Sequence, residues 1–232
     1  MNGHYAIAID GPSGAGKSTM ARQLAKNFGF IYVDTGAIYR TLGLACLRAG
    51  IDRKDVKAVM TLLPTLDIQI QYNAAGEQCM LLNGEDVSRE IRQPEISLFA
   101  SDVSSHQEVR SFLLEMQRKY ARENNVIMDG RDIGTVVLPD AELKIFLTAS
   151  PEARARRRFK ELQEKGENVS FEEVLQDMKY RDEQDTTRAA APLKKAEDAV
   201  EVDSSEQSFD ETLGLLCEIV IRKFALEPEE KP

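Results

Sequence analysis

The chain has 232 residues, of which 42% are hydrophobic and 30% charged, and its formal net charge is −9. A chain of this length can bury enough apolar surface to fold without a disulfide or a structural metal. The acidic balance excludes a general nucleic-acid-binding protein, because such proteins need a net basic surface. Any anionic ligand must therefore be bound by a local cluster of positive side chains.

The cysteines and histidines point away from disulfide and metal-cluster chemistry. Cys46, Cys79 and Cys217 are far apart and lack CxxC spacing, which predicts reduced, structural thiols. His4 and His106 offer no basis for a metal cluster or a His-based triad. The N-terminal residues lack the features of a signal peptide, and no run is long enough to span a membrane. We therefore expect a cytoplasmic protein that does not bind membranes.

Predicted strands and helices alternate along most of the chain. Short apolar runs predict buried strands, and apolar residues at helical spacing predict the helices between them. In chain order we expect a strand at 5–9, a helix at 17–28, a strand at 31–33, a helix at 37–49, helices at 94–104 and 107–122, strands at 126–128 and 143–147, helices at 151–165 and 171–185, a strand at 199–202 and a helix at 209–224. This alternation predicts an α/β fold with a parallel sheet flanked by helices.

One segment, at about 64–93, breaks the alternation. Residues 66–72 alternate strictly between apolar and polar, as a strand with one solvated face does. A polar turn at 73–77 and a second apolar run at 79–82 follow. The segment therefore predicts a small antiparallel β insertion.

The strongest motif lies between the first predicted strand and the first predicted helix. The sequence GPSGAGKS, residues 11–18, matches G-x-x-x-x-G-K-[ST] in the context that this motif requires. Glycines let successive backbone N–H groups approach phosphate oxygens, and the lysine adds a point charge. The alternative is a plain glycine-rich turn. We expect a nucleotide-phosphate site formed by Gly11, Pro12, Ser13, Gly14, Ala15, Gly16, Lys17, Ser18 and Thr19.

A phosphate loop leaves kinases, GTPases, ATPases and regulatory nucleotide binders open. The NKxD motif by which GTPases normally read the base is absent from the sequence, and large ATPases need a longer chain. A kinase must also bind an acceptor. In the segment DTGAIYR, Thr35 is expected to cap a helix, and Arg40 lies one turn beyond Gly36, where a phosphate could bind both. The alternative is an ordinary cap with a surface arginine.

Further arginines are crowded in the C-terminal third of the chain. Like charges at neighbouring helical positions repel, so a cluster that closes over polyphosphate explains them better than a solvated basic face does. The simpler alternative, a basic helix paired with glutamates, stays open. The crowded residues are Arg154, Arg156, Arg157 and Arg158 on one helix, with Arg181 and Arg188 on either side of Asp185.

The segment DGRDIGT, residues 129–135, directly follows the apolar run 126–128. Two carboxylates flank a guanidinium, which fits either an ion-paired turn or a segment that reads a substrate. In a parallel sheet, ligands collect at the carboxyl ends of the strands, and this segment leaves its strand at that end. The position favours substrate reading, with the ion pair neutralising the arginine before substrate binds.

Taken together, IDGPSGAGKST, DTGAIYR, DGRDIGT and RAAAPL resemble bacterial cytidylate kinases, members of the nucleoside monophosphate kinase family of P-loop kinases, over essentially the whole chain. The resemblance implies transfer of the γ-phosphoryl group of ATP to CMP or dCMP with Mg²⁺. It implies one P-loop kinase domain: a core at about 1–63, 94–150 and 190–226, an NMP-binding β insertion at 64–93, and a lid at 151–189. We expect a monomer, because the sequence shows no exposed apolar stripe.

The resemblance also implies roles for individual residues. Around the CMP phosphate and the transferring group it places Thr35, Arg40, Arg131, Arg181 and Arg188, with Lys17 and Arg158 completing the catalytic set. It places Ser101, Arg110 and Asp132 at the cytosine edge and Asp185 at the sugar. Ser18 and Asp129 are the candidate Mg²⁺ ligands, although related kinases often carry glycine at the position of Ser18. Two alternatives remain: a P-loop kinase for another small acceptor, and a nucleotide-responsive binding protein without turnover.

Overall fold

The computed structural model describes residues 4–226, which form two compact units. The first unit contains the residues up to Ile31 and those from Asn124 onward, and the second unit is Tyr32–Glu123. The strands are β1 (Ala6–Asp10), β2 (Ile31–Asp34), β3 (Ile68–Tyr72), β4 (Gln78–Leu82), β5 (Glu85–Asp86), β6 (Val126–Gly130), β7 (Leu143–Thr148) and β8 (Val200–Asp203). The helices are α1 (Lys17–Phe28), α2 (Thr35–Arg48), α3 (Val56–Leu62), α4 (Pro94–Ser105), α5 (Gln107–Glu123), α6 (Pro151–Glu164), α7 (Phe171–Thr187) and α8 (Phe209–Phe224).

The central sheet has five strands in the order β2-β6-β1-β7-β8. Parallel pairing joins β1 to β6, β1 to β7 and β7 to β8. The strands β1 and β6 are almost wholly buried, as their continuous apolar runs require of a strand covered on both faces. Helix α1 packs against β1 and β6, and α8 packs against α1. The predicted α/β class with a parallel sheet flanked by helices is confirmed.

The register of β1 and β6 determines where charged residues collect in the first unit. Ile9 lies opposite Asp129, and Asp10 lies opposite Gly130. Both strands end there, so the phosphate loop and the DGRDIGT segment leave the sheet side by side at its carboxyl edge. This is the edge at which open parallel sheets bind their ligands.

The second unit contains the small antiparallel sheet, with the order β3-β4-β5. Strand β3 alternates between buried and exposed residues, as predicted, with Ile68 and Ile70 facing inward. Helices α2 and α4 pack closely where α2 carries Gly43. A Cβ atom at Gly43 would lie 2.9 Å from the Cβ of Phe99, so only glycine permits this approach.

One predicted detail of local structure is wrong, and one helix was missed. Helix α2 begins at Thr35, and its cap is Asp34, whose carboxylate accepts a hydrogen bond of 2.9 Å from the N–H of Ala37. Thr35 is therefore the first helical residue and does not cap the helix. Helix α3 was not predicted, because its seven residues are too few for a clear 3.6-residue period.

A π-helical turn at Ile133–Val137 was also not predicted. Its sequence, IGTVV, is rich in β-branched residues and favours an extended backbone by propensity. Such turns are rare and are frequently found at functional sites. The turn begins directly after Asp132, so it fixes how the DGRD segment leaves β6.

Three further sequence-based expectations concern membrane spans, the cysteines and the start of α7. Among residues 4–226, no helix is long and apolar enough to cross a lipid bilayer. The three cysteines are free thiols, with Cys46 buried and the other two partly exposed. The predicted cap at Ser170 is confirmed as a capping box with Glu173, which fixes the start of α7.

The glycine in α2 gives a testable prediction about packing. We expect Gly43→Ala to lower the free energy of unfolding by about 1 kcal/mol, because overpacking costs about 1–3 kcal/mol and the gain in helix propensity recovers only part of it. Gly214, on the exposed side of α8, is the matched control, since a Cβ atom there would meet no other atom within 4 Å. Gly214→Ala should stabilise by about 0.5–1 kcal/mol. Urea unfolding followed by circular dichroism measures both; a stabilised Gly43→Ala variant would contradict the close contact.

Candidate active site

The phosphate loop joins β1 to α1 through backbone conformations that only glycine adopts easily. Gly14 has φ 76° and Gly16 has φ 88°, both left-handed. Gly16 is the residue that caps α1, so the first N–H groups of the helix remain directed toward the loop. A Cβ atom at Gly11 would overlap the carbonyl oxygen of Leu147 in β7. The loop is thus shaped to present N–H groups to an anion.

Lys17 is buried at the base of this loop, with 5% of its surface exposed. Its Nζ donates a hydrogen bond of 2.7 Å to the carbonyl oxygen of Pro12, within the loop itself. Burial and the nearby charge of Arg131 lower the pKa of Lys17, and the carboxylates of Asp129 and Asp185 oppose that shift. An additional anion at this position would favour the charged form of the lysine.

Ser18 and Asp129 meet at the carboxyl edge of the sheet. The Ser18 hydroxyl donates a hydrogen bond of 2.9 Å to Oδ2 of Asp129, which is buried at the end of β6. Hydroxyl and carboxylate oxygens are the donors that Mg²⁺ prefers. Within residues 4–226, no group of three or more His, Cys, Asp and Glu side chains is arranged to hold a metal ion. A metal at this pair would need most of its ligands from a bound phosphate and from water.

Arg131 is bound by a carboxylate from outside its own turn. Its Nε donates to Oδ2 of Asp185 at 2.6 Å, and Nη1 donates to the carbonyl oxygen of Gly130 at 3.3 Å. Burial acts to lower the pKa of Arg131, but the carboxylates of Asp185 and Asp129 outweigh burial and raise it. The sequence left an ion-paired turn at DGRDIGT open. A carboxylate that hydrogen-bonds the guanidinium belongs to Asp185 of α7, and the charge of Asp129 within DGRDIGT also acts on Arg131.

Asp132 and Arg188 form a second, looser pair. The Nη2 atom of Arg188 lies 3.5 Å from Oδ1 of Asp132, and both side chains are at least 90% buried. Asp132 directly precedes the π-helical turn, yet its side chain does not cap that turn. The structure therefore brings predicted residues of the first unit together in neighbouring pairs: Arg131 with Asp185, Asp132 with Arg188, and Asp129 with Ser18.

Asp10 is a buried carboxylate at this edge that sequence reasoning missed. Its Oδ1 accepts a hydrogen bond of 2.8 Å from the N–H of Ile133, and its Oδ2 accepts one of 2.7 Å from the N–H of Gly134. Burial raises the pKa of Asp10 to about 6, although the two backbone hydrogen bonds act to lower it. In the sequence, the feature that could have identified Asp10 is its position between a buried strand and the phosphate loop.

The arginines of α6 divide into two groups. Arg154, 2% exposed, donates to the carbonyl oxygens of Ala149 and Ser13 and, through both terminal nitrogens, to Asp182. Arg157 donates to the hydroxyl and the carbonyl oxygen of Ser204. These two arginines join structural elements of the first unit.

The other arginines of this region lie nearer to the solvent. Arg158 pairs with Glu161 at 3.1 Å, and Arg181 pairs with Asp177 at 3.0 Å, each on its own helix. Their side chains are 39% and 41% exposed. Salt bridges of this exposed kind contribute little to stability, so both guanidinium groups can exchange partners at small cost. The partners of Arg158 and Arg181 thus differ from those of Arg131 and Arg188, which pair with Asp185 and Asp132.

The second unit holds its own group of predicted residues around the start of α2. Arg40 donates to Oδ2 of Asp34 at 2.7 Å, and Asp34 also caps the helix. The Nε atom of Arg40 is buried and has no hydrogen-bond partner among the described residues. Thr35 is buried beside them. Sequence reasoning identified Thr35 and Arg40 but missed Asp34, which orients the guanidinium.

Arg110 and Ser101 lie on α5 and α4 of the same unit. The structure buries Arg110 and does not place it on the solvated face of α5. Arg110 is 6% exposed, donates to the carbonyl oxygen of Ser104 at 3.2 Å, and lies over the ring of Tyr39 at 5.5 Å from its centre. The aromatic face stabilises the cation and fixes its direction. Ser101 is exposed.

Comparisons with known proteins agree with one another. The family model described as cytidylate kinase matches residues 7–224. A cytidylate kinase of Caldicellulosiruptor saccharolyticus is 53% identical over 213 residues, which is 92% of this chain and 94% of that protein. A cytidylate kinase of Carboxydothermus hydrogenoformans is 51% identical over 217 residues, 94% of this chain and 97% of that protein.

A solved structure of an uncharacterised protein from Eubacterium ventriosum is similar in fold, with a TM-score of 0.50 at 13% identity, covering 94% of this chain and 98% of that one. A sequence identity this low shows similarity of the fold alone. The family model, in contrast, matches nearly the whole chain. The two relatives also match nearly the whole chain, at 53% and 51% sequence identity. This chain therefore belongs to the cytidylate kinase family.

Proposed function

We propose that the chain transfers the γ-phosphoryl group of ATP directly to the phosphate of CMP or dCMP, forming CDP or dCDP in pyrimidine nucleotide metabolism. Membership of the cytidylate kinase family supports this activity. The observation that carries it is the register of β1 and β6, in which Asp10 lies opposite Gly130. A loop suited to donor phosphates and a charged segment suited to an acceptor thus begin at adjacent strand ends.

The donor is bound by the loop from Gly11 to Thr19. Its left-handed glycines and the start of α1 direct N–H groups toward the phosphates of ATP. Lys17, whose pKa is lowered before ligand binds, gains a phosphate as its counter-charge in place of the Pro12 carbonyl. The same lysine then follows the charge of the transferring group as it moves toward the acceptor.

Mg²⁺ fits the hydroxyl and carboxylate oxygens of Ser18 and Asp129, which would hold it together with phosphate oxygens and water. When bound, this ion neutralises charge on the donor phosphates. Because the described residues contain no larger ligand group, we expect the metal to bind with the nucleotide. The serine at position 18 gives this chain a hydroxyl that a glycine would lack.

The acceptor phosphate is proposed to bind Arg131 and Arg188, and Thr35 and Arg40 are proposed as further ligands of the same phosphate. Arg131 and Arg188 are already ordered by Asp185 and Asp132, so phosphate binding costs little side-chain entropy. Asp185 then contacts the sugar. Arg158 and Arg181, which are exposed and weakly paired, are proposed to neutralise charge on the transferring group.

The chemistry needs positioning and charge more than it needs a base. The phosphate of CMP is ionised at neutral pH. Its oxygen attacks the γ-phosphorus in line while the bond to the β-phosphate oxygen breaks and ADP leaves, so no strong general base has to remove a proton. Arginine and lysine side chains stabilise the charge that spreads over the equatorial oxygens. Exclusion of water from the closed site prevents hydrolysis of ATP.

Cytosine is read by its hydrogen-bonding edge. The exocyclic amine of cytosine donates to the Asp132 carboxylate, while Arg110 and Ser101 donate to the ring nitrogen and the carbonyl oxygen. Uracil has a carbonyl group where cytosine has the amine. That carbonyl would face the buried Asp132 carboxylate and could not donate a hydrogen bond to it. A mismatch of this kind at a buried polar group gives strong discrimination.

The chain is proposed to act in the cytoplasm as a monomer on small-molecule substrates, without nucleic acid or membrane partners. The net charge of −9 supports the exclusion of nucleic acid. Light scattering on the purified chain measures the oligomeric state, and a mass of two or more chains would contradict the monomer.

The first functional prediction concerns the donor site. We expect Lys17→Ala to lower kcat by about 10³-fold, because a buried charge aimed at the transferring phosphoryl group is lost. The fold, measured by circular dichroism, should be retained. Lys26→Ala is the matched control, since Lys26 lies exposed on the same helix. Activity of Lys17→Ala within a few-fold of the unchanged chain would remove the phosphate-loop assignment.

The second functional prediction concerns the acceptor. In a coupled assay with CMP, dCMP, UMP, AMP and shikimate, we expect CMP and dCMP to be preferred. Asp132→Ala should reduce the CMP over UMP ratio of kcat/KM by about 10²-fold, with a smaller effect on the KM for ATP. Asp140→Ala, an exposed aspartate eight residues further along, is the control and should preserve the ratio. A preference for UMP, AMP or shikimate would refute the cytosine assignment.

A further inference from the structure

The π-helical turn after Asp132 is capped by a residue of another strand. In most helices that start at an aspartate, the aspartate itself accepts a hydrogen bond from the first N–H groups. The Asp132 side chain does not cap this turn. The N–H groups of Ile133 and Gly134 instead donate to the two carboxylate oxygens of Asp10, at 2.8 and 2.7 Å. Asp10 thus performs the capping, and the Asp132 carboxylate is directed toward Arg188.

Lys144 also packs against this turn, at Gly134. A Cβ atom at Gly134 would lie 3.1 Å from Cδ and 3.2 Å from Cγ of Lys144, and 3.4 Å from Oδ2 of Asp10. The Lys144 side chain is 9% exposed, and its Nζ pairs with Asp198 at 2.9 Å. The backbone that follows Asp132 is therefore held by a hydrogen-bonding carboxylate and lies in close contact with a packed lysine chain.

We propose that Asp10 is a positioning residue for base recognition: by binding the N–H groups of Ile133 and Gly134, it fixes Asp132 where its carboxylate meets the cytosine amine. This inference rests on the proposed reading of cytosine by Asp132. Two hydrogen bonds to a buried carboxylate restrict the backbone to one position, and discrimination between bases depends on sub-ångström placement of the reading group.

Two other roles for Asp10 predict different results. As a counter-charge for Lys17, Asp10 would act on the donor, so its loss would raise the KM for ATP equally with every acceptor. As a purely structural residue, it would change stability and leave the choice of acceptor alone. Positioning of Asp132 predicts a change in acceptor choice that appears mainly in the KM for CMP.

The test is Asp10→Asn, which keeps the shape but replaces one accepting oxygen with an amino group facing a backbone N–H. Assays at pH 8 keep the native carboxylate ionised, since its pKa is about 6. We expect the CMP over UMP ratio of kcat/KM to fall about tenfold, as the loss of one buried hydrogen bond implies. The KM for ATP should stay within about twofold.

Glu142→Gln is the matched control. The Glu142 carboxylate also accepts a backbone hydrogen bond from β1, at Ala6 and 2.9 Å, but at the opposite end of the strand. The CMP over UMP ratio of kcat/KM measured for Glu142→Gln should equal that of the unchanged chain. If Asp10→Asn keeps the ratio within about twofold while Asp132→Ala loses it, the positioning role is wrong although the reading of cytosine stands. An equal loss with both acceptors and a raised KM for ATP would assign Asp10 to Lys17 and also overturn the role.

If the unchanged chain shows no preference for CMP, or Asp132→Ala retains it, the proposed reading of cytosine fails and the role of Asp10 fails with it. Should Asp10→Asn not fold, Gly134→Ala displaces the same turn from the side of Lys144 without removing a charge. We expect it to lower the CMP over UMP ratio in the same direction, and Gly214→Ala serves as its control. An unchanged ratio in a folded Gly134→Ala variant would overturn the positioning role.

Discussion

Parallel pairing of β1 with β6 is the constraint on which the site of the first unit depends. The register that sets Asp10 opposite Gly130 places two charged turns at one edge of the sheet. Both turns begin at the last residues of their strands, so the register of the pair decides which residues of the two turns are adjacent. The pairing of β1 with β6 therefore places a phosphate loop and a DGRD segment next to each other.

That edge concentrates buried charge of both signs. Lys17, Arg131 and Arg188 would repel one another if they stood alone, and each has at least one carboxylate nearby. Removing one member of such a buried pair is costly, because the other charge is left uncompensated. The carboxylates thus keep these cations ordered in the absence of a ligand. In the proposed function, the acceptor phosphate would take over hydrogen bonds of side chains that are already ordered, which lowers the entropic cost of binding.

Sequence patterns predicted the fold class, the phosphate loop and most element boundaries, because these depend on local periodicity and on a motif with its own backbone chemistry. Helix α1 and helix α8 begin and end where their apolar spacing predicts. The patterns failed where a partner lies far away in sequence. Nothing near Arg131 identifies Asp185 as its partner, 54 residues later, and nothing near Arg110 shows that Tyr39 lies under its guanidinium.

The arginines of α6 show why residue type alone cannot assign a role. Arg154 and Arg158 are four residues apart on one helix and identical in chemistry. Arg154 is buried and donates to two backbone carbonyls and Asp182, so removing it would leave several buried acceptors unsatisfied. Arg158 is exposed and holds only a surface glutamate, so its guanidinium can leave that partner at little cost. Arg154 is therefore suited to holding its helix in place, whereas Arg158 is able to take a new partner. Burial separates the two roles, and burial follows from tertiary packing rather than from the spacing of arginines in the sequence.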